Sequence, residues 1–486
     1  MTSPPRPPAP QPGAALPTRR VVAVFVGLQI GMIISTLDGT IVATALPTIA
    51  RDIDASDQRS WVITAYLLAQ VAVMPLYGKL GDLYGRKRLF LVAISTFTVA
   101  SMLCGLAADL PQLVAFRVVQ GVGAGGLGTL AMAVLADVVP TRQLGRWLGY
   151  QGALFAVASL VGPLAGGLFV DQLSWRWAFF INVPLAAVSV GIVVSALQVP
   201  YRRIPHSVDY PGAALLTVGI VGVVLLAAIT SDQVDWSPFA LGGLVLVTIG
   251  AIAAFLRWER RAREPVVPLA LLRDRVVRVA AGTNFTSGAL FASGIYFIPV
   301  FAQEVAGVSA TRSGLLLIPF MFTTAACTLI AGRAVERTGT YRTWPIAGGV
   351  IMTGGIALLA TAGTSTSVGL VSAFGAIVGV GVGFVMQTSL LALQNSVDHR
   401  DLGIATSSAL LARVLGVTIG TAVWSAILQS GLDGASSPAA YADALRTVYL
   451  AAIPVGLVAV GLGLRLEQRP LRDHAQYGTE LVELGP

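Results

Sequence analysis

Three charged residues stand where the sequence is otherwise apolar: Asp38, Arg117 and Arg413. Asp38 lies about 17 residues into the first long apolar run. At 1.5 Å per residue that places it roughly 25 Å along a helix. A mid-membrane Asp costs about 2.5–3.5 kcal/mol on insertion scales, so its presence asks for a function. The chemistry open to it is taking and releasing a proton. Arg117 falls at a comparable level in a later run. A nearby guanidinium favours an ionised carboxylate, whereas burial favours a neutral one. A carboxylate balanced between the two exchanges its proton when its surroundings change. Plainer readings stand beside these: Asp38 hydrated near an interface, and Arg117 bonded to backbone carbonyls. Arg413 sits near the middle of its run and must face a bundle interior or a watery cavity.

Such residues need a scaffold built for lipid. The chain has 486 residues, 55% of them hydrophobic and only 12% charged, and its mean hydropathy is +0.77. Soluble domains carry about 25% charged residues. This composition excludes a soluble enzyme, a nucleic-acid binder and a disordered hub. Apolar stretches long enough to cross a bilayer as helices fall near 21–45, 61–79, 89–107, 113–136, 147–170, 177–198, 211–230, 238–256, 279–301, 313–332, 344–362, 368–391, 402–429 and 447–464. That makes fourteen predicted spans. The alternating segments of a barrel are absent from the sequence.

With the N-terminus inside, the inner side collects twenty-five of the 32 Lys and Arg residues and the outer side five. This bias predicts that both termini lie inside. The proline-rich stretch 1–20 reads as a solvated cytoplasmic tail, and 467–486 as a second one. Cys104 and Cys327 both lie in apolar stretches and offer neither a disulfide framework nor a metal site.

An offset of 254 residues aligns distant parts of the chain without a gap. Gly78 falls on Gly332, Gly85 on Gly339, Arg88 on Arg342, Gly149 on Gly403 and Gly162 on Gly416, and Asp82 falls on Glu336. The offset spans an even number of helices, so both copies run in the same direction. The repeat predicts a six-helix bundle at 21–200, two inserted helices and a basic linker at 201–278, and a second six-helix bundle at 279–466. Small residues at helical spacing let backbones approach closely in lipid, which gives the glycines a reason to repeat. The deep charges do not repeat: Asp38 maps onto Ala292, Arg117 onto Val371 and Arg413 onto Ser159. Chemistry has been added to a duplicated scaffold.

The motifs are GKLGDLYGRKR at 78–88, RVVQGVGAGG at 117–126, GPLAGG at 162–167, LDGTIVATALP at 37–47 and WRWAFFINVP at 175–184. Together they resemble the major facilitator superfamily, and within it the fourteen-span drug/proton antiporter branch of QacA- and EmrB-like exporters. The resemblance implies an all-α membrane fold of two parallel six-helix halves that expose a central site alternately to each side. It also implies that Asp82, with Gly78, Gly85, Arg86 and Arg88, forms an inner gate against the opposing half, near a helix N-terminus. Arg86 and Arg88 are candidate partners for Asp137, and Glu336 is the second copy's acid. That copy replaces Arg86 with Thr340, so its clasp is expected to be weaker. The alternative is a basic loop that only sets topology.

GPLAGG resembles the antiporter motif, with Gly162, Pro163, Gly166 and Gly167 forming a bendable, closely packed segment. The resemblance also ties Arg117 to proton coupling with Asp38. Tyr66, Phe291, Tyr296, Phe320 and Phe384 are candidate walls for a substrate cavity. The linker at 257–278 holds seven arginines. It reads equally as a segment lying on anionic membrane lipid or as a solvated connector.

The reading is a multi-pass, proton-driven exporter of lipophilic small molecules in a bacterial cytoplasmic membrane. It would act as a monomer, with protons and membrane lipid as its other partners. No cofactor, metal or nucleic acid is expected, and no ATP-binding loop or catalytic nucleophile is visible. Its rivals are a proton-coupled importer or facilitator, an exporter of one specific metabolite or lipid, and a non-transporting sensor or lipid-handling scaffold of the same fold. One acid against two bases at depth favours neutral or weakly acidic substrates over dications.

Overall fold

The computed structural model describes residues 18–53, 61–197, 209–229, 237–262, 265, 267, 271–308, 310–398, 401–432 and 437–471. Most of the first predicted tail, most of the second and the centre of the basic linker lie outside them. Among the described residues the chain is helical, with no strand.

Seven helices form the first group: α1 (Thr18–Asp52), α2 (Trp61–Tyr84), α3 (Arg86–Leu106), α4 (Leu110–Val138), α5 (Thr141–Gln172), the short α6 (Trp177–Phe180) and α7 (Asn182–Ala196). A hairpin follows, α8 (Tyr210–Ile229) and α9 (Pro238–Glu259). The second group is α10 (Arg275–Val300), the short α11 (Ala310–Leu315), α12 (Ile318–Thr338), α13 (Thr343–Leu359), α14 (Val368–Ser396), α15 (Leu402–Leu432) and α16 (Pro438–Arg465). Eleven helical stretches among the described residues are long and apolar enough to cross a bilayer, and two shorter apolar helices lie at Tyr210–Leu226 and Thr343–Leu359.

Capping residues set several boundaries. Asp109 accepts the Gln112 amide at 2.8 Å, and Asp274 accepts that of Val276 at 2.7 Å. Ser437 caps α16 with Pro438 in its first turn. These side chains satisfy amides that the helix itself leaves free. The cap at Ser437 starts α16 nine residues before the apolar run at 447, because a helix begins where its amides are satisfied and not where lipid begins.

Glycines set the spacing. α4 lies so close to α2 that a Cβ on Gly121 would come within 2.3 Å of the Tyr66 carbonyl. In the second group α14 meets α12 in the same way, with Gly379 against the Phe320 carbonyl at 2.4 Å. Phe320 is the repeat mate of Tyr66, whereas Gly379 is the mate of Gly125. The second contact has therefore slid by one turn. The hairpin rests on α2 and α15 through Ile220 and Val224, which meet Leu68, Val71 and Leu411.

Candidate functional site: a sealed ion pair, a gate and a lone cation

Asp38 on α1 and Arg117 on α4 form an ion pair, and both side chains are sealed from solvent. The carboxylate is fully coordinated. Oδ2 accepts from Arg117 Nη1, while Oδ1 accepts from Gln120 Nε2 at 2.7 Å and Asn182 Nδ2 at 3.1 Å. Ser101 Oγ on α3 accepts from the same two amides, at 3.1 and 2.8 Å, and donates to the Phe179 carbonyl at 3.0 Å. Arg117 is held in turn. Its Nε donates to the Val62 carbonyl at 3.0 Å, Nη1 also donates to Gln120 Oε1 at 2.7 Å, and its guanidinium lies 4.1 Å from the Tyr66 ring centre. Six helices, α1, α2, α3, α4, α6 and α7, meet at this cluster. Asn182 Oδ1 is buried there without a hydrogen-bond partner.

The sequence reading named Asp38, Arg117 and Tyr66 but missed Gln120, Ser101 and Asn182. Gln120 lies within RVVQGVGAGG and Asn182 within WRWAFFINVP, so polarity inside an apolar motif was the available signal. Ser101 gave none, since serines are common in such helices and bond to their own backbone. In the second half Ser101 maps onto Gly355 and Gln120 onto Phe374. The network therefore exists in the first half alone.

The GKLGDLYGRKR segment closes the end of the molecule that carries the α2–α3 turn. Gly85 turns the chain with φ 89°, a conformation glycine adopts without strain. Asp82 reaches across to the other half. Its Oδ1 accepts the Gly403 amide at 3.2 Å and its Oδ2 that of Ile404 at 3.1 Å, capping the first turn of α15. Arg86 binds Asp82 through Nε at 3.1 Å and Nη2 at 2.6 Å, and it also pairs with Asp137. Arg88 is exposed with no partner among the described residues, a correction to its expected pairing with Asp137. A Cβ on Gly78 would lie 2.3 Å from Ser407 Oγ, so only glycine fits between α2 and α15.

The second copy closes by a different bond. Glu336 pairs with Arg146 at 3.2 Å, at a partly exposed site. The cause lies in where the opposing helix begins. Gly403 is in the first turn of α15, where amides are free, whereas its mate Gly149 is two turns inside α5. An acid facing a helix interior finds no free amide and takes a cation instead.

GPLAGG runs within α5, which is continuously helical through Pro163. Gly162 and Gly166 lie under α1. A Cβ there would come within 1.8 Å of Thr40 Oγ1 and 2.0 Å of Thr44 Oγ1 respectively, whereas one on Gly167 would meet nothing within 4 Å.

Arg413 is half-buried on α15. Its carbonyl lies against α10, 2.3 Å from where a Cβ on Gly288 would sit. Among the described residues it has no hydrogen-bond or ion-pair partner.

The aromatic candidates divide. Tyr66 is 2% exposed, stacks on Arg117 and donates to the Ser35 carbonyl at 3.2 Å. Phe320 is fully buried against Phe291 and beneath Gly294. Both are packing residues, a correction to their reading as cavity walls: the Tyr66 ring is covered by Arg117 and the Phe320 ring fills the space left at Gly294. Phe291 and Phe384 are partly buried, Phe384 against Trp344, and Tyr296 is exposed.

Residues 28–421 match the family profile described as Major Facilitator Superfamily. An MFS-type transporter of Mycobacterium tuberculosis is 34% identical, over 94% of this chain and 71% of the relative. The multidrug transporter protein MdtP of Bacillus subtilis is also 34% identical, over 84% of this chain and 75% of its own. Among solved structures, the proton:xylose symporter XylE superposes with a TM-score of 0.65 at 14% identity, covering 96% of this chain and 99% of that one. At that identity the likeness is one of fold.

Proposed function

The chain belongs to the major facilitator superfamily, and on that footing we propose that it exports lipophilic small molecules in exchange for protons. The setting is a bacterial cytoplasmic membrane, which the chain crosses fourteen times with both termini inside. The eleven long apolar helices, α5 and the two shorter apolar helices support that count. The names of the relatives favour efflux of drug-like compounds.

One observation carries the reading: the Asp38–Arg117 pair, sealed in the first half and absent from the second. In the orientation expected from the basic residues, Ser101, Arg117 and Asn182 stand toward the outer ends of α3, α4 and α7, the side from which protons enter. Protonation of Asp38 removes the counter-charge of Arg117 and turns an acceptor into a donor. Asn182 Oδ1, otherwise unpartnered, accepts the new O–H after a turn of its amide. The α1–α4 contact then loses its strongest bond. α1 also carries Thr40 and Thr44 beneath Gly162 and Gly166 of α5, and α5 touches α12 at the gate through Gly145 and Gly149. A shift of α1 thus reaches the gate through a continuous line of packed helices.

The test uses purified protein in vesicles, a lipophilic fluorescent dye and an imposed pH gradient. The expected result is dye movement that follows the gradient and is lost when both Asp38→Asn and Arg117→Gln are present. Dye movement at the same rate with and without the gradient overturns proton coupling.

A further inference from the structure

Resting on the exporter reading, we propose that Arg413 is the counter-ion for a single anionic group, a carboxylate, on an otherwise apolar substrate. Four observations lead there. First, the deep charges are not equivalent. Asp38 and Arg117 neutralise each other in a sealed cluster, so neither is offered to a substrate. Second, Arg413 has no partner among the described residues. The buried guanidiniums of Arg86 and Arg117 each hold a carboxylate and a backbone carbonyl. A cation left without a counter-ion at mid-membrane depth is costly, and a fold keeps such a cost where a ligand removes it.

Third, the second half offers no competing acid at that depth. Its acids between 279 and 465 are Glu304, Glu336, Asp398, Asp401, Asp433 and Asp443. Glu336 is bound at the gate, Glu304 follows α10, Asp398 and Asp401 lie between α14 and α15, and Asp443 lies in the second turn of α16; Asp433 lies outside the described residues. Fourth, Arg413 is only half-buried on a helix that contacts α2, α8 and α10. A guanidinium against hydrocarbon carries a large solvation cost, so a partly exposed Arg413 calls for water or a ligand beside it. Gly288 keeps the α10 side clear of bulk next to its backbone.

A guanidinium in such a site favours a carboxylate through two parallel hydrogen bonds. A neutral amide of the same shape loses the charge term. A quaternary ammonium meets an unbalanced positive charge. The preference is therefore carboxylate over amide over ammonium, with the apolar part of the substrate supplying affinity common to all three.

The probes are 1-naphthaleneacetate, 1-naphthaleneacetamide and (naphthylmethyl)trimethylammonium, matched in ring and size. Gradient-driven transport of each is measured in vesicles holding wild type, Arg413→Gln or Arg413→Lys. Stabilisation of the detergent-solubilised protein by each probe, read as a shift in Tm, is measured in parallel. The expected result is at least tenfold preference for the carboxylate over the ammonium in wild type. Arg413→Gln should lose at least tenfold on the carboxylate while keeping the amide, and Arg413→Lys should recover part of the loss. Equal loss of carboxylate and amide in both variants, or wild type that favours the ammonium, overturns the assignment while leaving the exporter reading standing. Gradient-independent behaviour of every probe overturns the exporter reading instead. The Tm series then decides Arg413 by itself: carboxylate-specific stabilisation lost in Arg413→Gln supports it, and no such stabilisation overturns it.

Discussion

Gly78 and Gly332, 254 residues apart, each hold a helix of one half against the backbone of the other. A Cβ on Gly78 would lie 2.3 Å from Ser407 Oγ and 2.7 Å from the Gly403 carbonyl; one on Gly332 would lie 1.9 Å from the Gly145 carbonyl. Backbone cannot rotate away as a side chain can. Both Gly78→Ala and Gly332→Ala are expected to weaken the closed gate, Gly332→Ala the more. Thr388, which lines the small gap beneath Gly145 and Gly332, serves as the reporter. In a background free of Cys104 and Cys327, Thr388→Cys should label several-fold faster in the Gly332→Ala protein. Unchanged labelling would mean that the two halves separate elsewhere.

The two gate acids should differ in weight. Asp82 is buried, caps α15 and binds Arg86. Its replacement by Asn removes charge-assisted bonds and leaves Arg86 with Asp137 alone of its two acids, a loss of about 1.5–3 kcal/mol. Glu336 and Arg146 are partly exposed, and Glu336→Gln should cost about 0–1 kcal/mol. Thermal unfolding in detergent, with gate labelling beside it, gives the ranking. Equal effects would contradict the distinction drawn from where α5 and α15 begin.

Much of this architecture was legible in the sequence. Apolar runs located the eleven long apolar helices found among the described residues, and the 254-residue register picked out glycines, such as Gly78 and Gly332, that each sit at a close contact with the opposite half. Helix ends were less legible, because Ser437 and Asp109 act through caps that hydropathy does not see. The site was legible in its charges and not in its company. Asp38 and Arg117 stand out in an apolar background, whereas Ser101, Gln120 and Asn182 gain meaning only when three helices bring them to one carboxylate. Tyr66 and Phe320 were misread for a related reason. A large aromatic in a span is as ready to fill a glycine notch, as Phe320 does, or to cover a buried charge, as Tyr66 does, as to face a cavity, and composition does not distinguish these.

Burial changes what Asp38→Asn should do. With Arg117 sealed beside it, removing one charge leaves the other buried without a partner, which costs about 3–5 kcal/mol. Asp38→Asn is therefore expected to lose both gradient-driven transport and thermal stability. Adding Arg117→Gln should restore much of the stability and none of the transport. A stable, fully active Asp38→Asn protein would remove this carboxylate from the coupling mechanism.

The glycines of GPLAGG should separate by position. Gly162→Ala and Gly166→Ala push a methyl group into Thr40 and Thr44 of α1, whereas Gly167 has open space. Transport should fall sharply for the first two, and Gly167→Ala should stay close to wild type. Gly162→Ala combined with Thr40→Ala removes the clash and should recover activity. Equal sensitivity at all three positions would point to a role for backbone flexibility instead of α1 contact.

If Arg413 receives a carboxylate, the transported charge changes with the substrate. For the same number of protons entering, export of a carboxylate moves one more charge across the membrane than export of the matched amide. An inside-negative potential draws protons in and drives the anion out, so both movements gain. Each charge crossing 100 mV is worth about 2.3 kcal/mol, roughly a fiftyfold change in the gradient the protein can sustain. Clamping vesicles with potassium and valinomycin at a fixed pH difference should therefore steepen the steady-state gradient of 1-naphthaleneacetate more than that of 1-naphthaleneacetamide. The Arg413→Gln protein, exporting the amide alone, should show only the shallower dependence. Equal voltage dependence for the two probes in wild type would mean that the carboxylate crosses neutralised, carrying its own proton past Arg413.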